Sequence, residues 1–180
     1  KKALSMIPET YRREKKLQES FQTIITHTSG TILFLTGFYL FGPIAHELGH
    51  LIVLKAESCL YTSRYSFNVF SGVRGVFEPS CSLNTLKQYF FYLSGYGLTL
   101  TTGIISLLIG SKVDNRNWIM LGLGCLTSIA ASVTLEGDIH SVPGFEGSVL
   151  ILTGTVLILA ASASVFGVEK LIRREETELK

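Results

Sequence analysis

The spacing of charge is what most limits how this chain can fold. No Asp, Glu, Lys or Arg occurs between Glu19 and Glu47, from Gln88 to Ser111, from Asn117 to Leu135, or from Gly147 to Val168. A helix needs roughly 20 apolar residues to cross a hydrocarbon core about 30 Å thick, and each window is long enough. Hydrophobic residues make up 47% of the 180 against 17% charged, which is out of line with a water-soluble domain. Disorder and nucleic-acid binding are both poor readings of such a chain.

The expected fold is therefore an all-α polytopic membrane protein with about four transmembrane helices, over 24–56, 88–111, 117–135 and 147–168. A basic juxtamembrane segment over 1–19 precedes this membrane-embedded domain of 20–168, and a polar tail over 169–180 follows it. The first 19 residues suit either a headgroup surface or a solvated basic tail. The first apolar run follows them and is too long for the apolar core of a secretory signal, so it is expected to be a retained span. Gly42-Pro43 falls within that run, where proline removes a backbone donor. One long, kinked helix is expected there in preference to a break.

Between the first two spans, Tyr65, Phe67 and Val69 alternate with polar residues, and Ser71-Gly72 offers a turn. This pattern predicts a small β-hairpin at about 61–78. Small residues at Ser94, Gly95 and Gly97 would let the second span approach a neighbour closely. Trp118 stands where an interfacial anchor is expected. Cys125 lies in an apolar window and reads as packing, whereas Cys59 and Cys81 bracket the hairpin and would pair only in an oxidising compartment. The sequence leaves that pairing open.

The chemistry is concentrated in His46-Glu47-Leu48-Gly49-His50, an H-E-x-x-H pattern inside an apolar helix. Residues four apart share a helix face, so both imidazoles can hold one Zn²⁺ while Glu47 reaches a metal-bound water as general base. The alternative, two histidines and a glutamate decorating a polar patch, has to meet the cost of ionisable groups in lipid, about 2.5–3.5 kcal/mol for a charge near the bilayer centre.

A catalytic zinc site keeps three protein ligands and one open position. The metzincin extension is missing, since His50 is followed by LIVLKAES. Of the two aspartates, Asp114 sits in a polar loop with Lys112 and Arg116, which leaves Asp138 as the expected third ligand. Glu136 and His140 are alternatives, and His140 and Asn68 are candidate oxyanion donors.

The stretch FGPIAHELGHLIVLKA, followed by a hairpin and by spans with a late carboxylate, resembles the site-2 protease family of intramembrane zinc metalloproteases. The likeness covers the order of elements from about residue 29 to residue 140, and HELGH is its specific match. It implies cleavage of transmembrane protein substrates by zinc held on His46, His50 and Asp138, with Glu47 as base. The family's aspartate usually precedes a glycine and follows an Asn and a Pro, whereas this chain has Gly137-Asp138. Under the resemblance, the hairpin edge around Tyr65, Phe67 and Val69 would capture an unwound substrate by strand addition; a plain capping hairpin is the alternative.

Two other readings stay open: a zinc membrane peptidase completed by Glu136, and a zinc-binding membrane protein without catalysis. Orientation stays open too. With four spans, both ends and the 112–116 loop share 12 Lys and Arg against four on the hairpin side, which puts the ends in the cytoplasm. The family resemblance instead implies a cytoplasmic hairpin. Substrate identity and oligomeric state are not legible.

Overall fold

The structure, a computed structural model, describes residues 9–69, 72–136 and 146–178. It is mostly helical. Helix α1 (Glu9–Thr36) runs through a five-residue π segment (Gly37–Phe41) into α2 (Gly42–Ala56). Strands β1 (Tyr61–Asn68) and β2 (Gly72–Pro79) follow, then α3 (Thr85–Lys112), α4 (Arg116–Glu136) and α5 (Glu146–Glu178). Two helical stretches, Arg13–Ala56 and Leu86–Lys112, are long and apolar enough to cross a membrane; Gly154–Glu169 is apolar but shorter.

The π segment shows how the chain accommodates Pro43. A proline inside an α-helix lacks its N–H and crowds the carbonyl four residues back. Here the helix widens just before it, and the Gly42 N–H bonds to the Gly37 carbonyl five residues back. The helical path therefore continues across Gly42-Pro43, as one long helix. Helix extends beyond the expected limits at both ends, since α1 starts at Glu9 and α5 runs on to Glu178.

The hairpin is a two-stranded antiparallel sheet with Tyr61 opposite Pro79 and Asn68 opposite Gly72. Gly72 takes φ +79 with its Cα against the backbone of Tyr39, where an added Cβ would lie 2.6 Å from the Tyr39 oxygen. Only glycine meets both demands cheaply. At the hairpin's base Cys59 and Cys81 form a disulfide, joining the exit of α2 to the approach to α3. Lys87 and Glu57 pair across the same base. Helix α3 begins where the Asn84 side chain accepts the Lys87 N–H at 3.0 Å, a side-chain N-cap.

Close backbone approach holds the helices together. Glycines on α2 and α3 interlock: a Cβ on Gly49 would lie 2.2 Å from the Ser94 carbonyl oxygen. A Cβ on Gly124 of α4 would meet the Phe34 oxygen at 2.1 Å, and one on Gly42 would meet Ser128 Oγ at 2.0 Å. Such small-residue seams suit association in lipid, where apolar burial gives no drive and dispersion contacts must supply it. Tyr96, Leu107, Ile119, Leu126 and Ile129 fill the space between α3 and α4, with Ala160 of α5 against them. A second cluster, Leu54, Cys59 and Phe91, closes the hairpin end.

These contacts fix helix directions. Gly30 faces Met120, Gly37 faces Gly124 and Gly42 faces Ser128, so α4 runs parallel to the α1–α2 path. Helix α3 runs antiparallel to α2, since Gly49 meets Ser94 while the Thr99 hydroxyl donates to the Gly42 carbonyl at 3.2 Å.

Candidate metal centre

His46 and His50 lie one helical turn apart on the face of α2 that packs against α3, and both are buried, at 8% and 3% exposure. Their Nε2 atoms are 3.1 Å apart. The His50 ring is held by its other nitrogen: Nδ1 lies 2.7 Å from the Phe91 carbonyl oxygen, an acceptor, so Nδ1 carries the proton. That leaves the His50 Nε2 lone pair directed at His46. The Phe91 carbonyl also accepts from the Ser94 hydroxyl at 2.7 Å, which fixes its position. A ligand histidine oriented through its second nitrogen by a backbone carbonyl is the usual support for a metal site.

Aromatic rings wall the pair. Tyr96 packs edge-on to His46 with centroids 4.7 Å apart, and Phe91 and Phe77 lie 4.6 and 6.4 Å from His50. Behind His46 stands Gly95, where a Cβ would come within 2.8 Å of the ring. Apolar rings packed on the pair lower the local dielectric around it.

Glu47 reaches the hairpin. Its Oε2 is buried, and a Cβ on Gly75 of β2 would lie 2.7 Å from that atom. The strand against the HELGH helix is therefore β2. Tyr65 and Phe67 are on β1 with exposures of 64% and 66%, and Val69 lies just past its end. Tyr65 packs edge-on to Phe77 at 6.2 Å, which joins the exposed strand to the ring beside His50.

Among the described residues no group of three or more His, Cys, Asp or Glu gathers to hold a metal. Asp138 and His140 lie outside those residues, as do the side chains of Glu136, which ends α4, and of Asn68. The helix register still bears on the third ligand. Gly42 lies opposite Ser128, and the helices run parallel from there. Helix α4 thus runs on from Ser128 toward the level of His46 and His50, and Glu136 is its last described residue.

Sequence reasoning found HELGH but not its surroundings. Phe91, Gly95 and Tyr96 belong to a stretch noticed only for its small residues, and Gly75 and Phe77 to the hairpin. The signal available was SGYG itself, small residues one turn apart on a span, which marks a close helix approach without saying what is approached. No protein-family model, curated protein or solved structure matches the chain.

Proposed function

We propose that the chain is a multi-pass intramembrane zinc metalloprotease, similar to the site-2 protease family, which hydrolyses peptide bonds of transmembrane substrates. The observation that carries this reading is the 3.1 Å separation of the two Nε2 atoms. Two ligands on a tetrahedral zinc with Zn–N bonds of 2.0–2.1 Å are about 3.3–3.4 Å apart. The histidines are thus preset, to within a few tenths of an ångström, as one edge of that tetrahedron.

Asp138 is the proposed third ligand, two residues beyond the last described residue of α4, a helix that runs parallel to α2 toward the histidines. Glu136, the last described residue of α4, is the alternative. When bound, zinc would polarise the scissile carbonyl and acidify its water. Glu47 takes the proton from that water and hands it to the leaving amine. The Phe91 carbonyl holds the His50 tautomer.

The bilayer setting rests on surface chemistry. The apolar window within Arg13–Ala56 is only 11% buried, which is unlike a soluble core helix. Phe21, Ile24, Ile32, Phe41, Leu48 and Ile52 are all more than 45% exposed along it, a surface that water does not tolerate and lipid does. Helix α4 has 21 residues, about 30 Å of rise, and α5 has 33, so four spans are within reach.

The hairpin lies back along α2, with Gly72 at Tyr39 and Gly75 at Glu47. Strand edges at membrane depth are tolerated only against protein or beside water. Water for hydrolysis and an unwound substrate segment therefore share one route, beside the hairpin. There Tyr65, Phe67 and Val69 give a substrate apolar contacts, and backbone addition holds it extended.

Cleavage of a transmembrane reporter by the detergent-purified chain tests the proposal. The parent cleaves, Glu47→Gln retains zinc and loses at least 100-fold in rate, and a zinc chelator abolishes the activity. Cleavage that persists in Glu47→Gln refutes it.

A further inference from the structure

We infer that the HELGH site opens toward the oxidising, extracytoplasmic side of the membrane, so that its substrates are cut in their extracytoplasmic half. The inference rests on the protease reading above for what the site does, and on three separate observations for the side it faces.

The first is the Cys59–Cys81 disulfide at the base of the hairpin. Disulfides persist in oxidising compartments and are rare where thiol reductants are maintained. The bridge ties the exit of α2 to the approach to α3, so it marks the side of the membrane on which that connection lies. The second is charge. In the four-span arrangement, Lys55, Arg64, Arg74 and Lys87 fall on the hairpin side and the other 12 Lys and Arg on the opposite one. The positive-inside rule puts the richer side in the cytoplasm. The two arguments are independent, one from redox chemistry and one from insertion, and they agree.

The third is position. His50 is six residues from the end of α2 at Ala56, about 9 Å of helix, whereas about 45 Å separates it from Ser20 at the start of the uncharged run. The site belongs to the hairpin-side leaflet. A cavity of about 200 Å³ opens there, lined by Cys81, Ser82, Leu83 and Gln88 and by Phe77 and Phe91, whose rings flank His50. The cavity next to the rings that flank the histidines thus shares one face with the disulfide. This departs from the cytoplasmic hairpin that the family resemblance implies, and it selects as substrates membrane proteins whose helix unwinds at its extracytoplasmic end.

Cysteine reporters added one at a time to a full chain carrying Cys125→Ser test the orientation without requiring activity. Leu86 and Val113 are 64% and 58% exposed at opposite ends of α3. In spheroplasts with the native bridge kept intact, the Leu86→Cys variant is expected to react with a membrane-impermeant maleimide. The Val113→Cys variant is expected to react only after permeabilisation. Any other pattern overturns the inference. Zinc content and Glu47-dependent cleavage, both measured in detergent, do not depend on orientation. A wrong side is therefore distinguishable from a wrong function.

Discussion

Gly95→Ala isolates the packing that holds His46, the proposed first zinc ligand. An added Cβ would lie 2.8 Å from His46 Cε1 and Nδ1 and 2.9 Å from Nε2, whereas ordinary contact begins near 3.4 Å. The ring, or helix α3, must therefore give by about 0.6 Å, and the ring is also pinned by Tyr96 on α3. Ligand positions tolerate only about 0.2 Å before coordination suffers. Disturbing the shell around a metal ligand typically costs 10–100-fold in affinity, and overpacking costs about 1–3 kcal/mol in stability. Gly97→Ala, two residues along the same helix, is the control, because its Cβ would meet nothing within 4 Å. The assay is zinc competition against a chromogenic chelator in detergent, alongside a thermal midpoint. Gly95→Ala should weaken zinc at least 10-fold and Gly97→Ala by less than twofold. Equal zinc affinity in the two variants would refute the placement of His46 against α3.

Three further outcomes follow from named contacts. Gly75→Ala puts a methyl 2.7 Å from Glu47 Oε2 and should cut cleavage at least 10-fold while zinc stoichiometry stays at the parent value, as read by elemental analysis and reporter turnover. Loss of zinc in that variant would show that β2 supports the ligands and not the base. Opening the Cys59–Cys81 bridge, a separation of 22 residues, by a double change to Ser should destabilise by about 3 kcal/mol on the chain-entropy estimate, measured as a lowered thermal midpoint in detergent. Ser94→Ala removes the side-chain hydroxyl that donates to the Phe91 carbonyl and should weaken zinc severalfold, with His50 Nδ1 still held; no change would mean that the helix backbone positions the carbonyl without the hydroxyl.

How far the sequence could be read depended on the range of the interactions involved. The hairpin was legible because alternation and turn chemistry are local, and the observed strands match its expected limits closely. HELGH was legible because a four-residue spacing on a helix is itself a geometry. The π segment was not, because the demand Pro43 makes can be met by a kink, a break or a widened turn. The choice belongs to the packing of Gly37 and Gly42 against α4. The Phe91 carbonyl was invisible for a plainer reason: any residue offers one, and 41 positions separate it from His50. Cysteine pairing likewise required knowing that the hairpin returns Cys81 to Cys59, at a Cα distance of 5.6 Å.

Zinc per chain, measured by elemental analysis on the detergent-purified parent, His46→Ala and Asp138→Ala, addresses the central claim most directly. The account predicts about one zinc in the parent and a loss of at least 10-fold in occupancy in both variants. Zinc retained in Asp138→Ala but lost in Glu136→Ala would move the third ligand by two residues and keep the enzyme. A parent that holds no zinc after purification with zinc present would contradict the metalloprotease reading altogether.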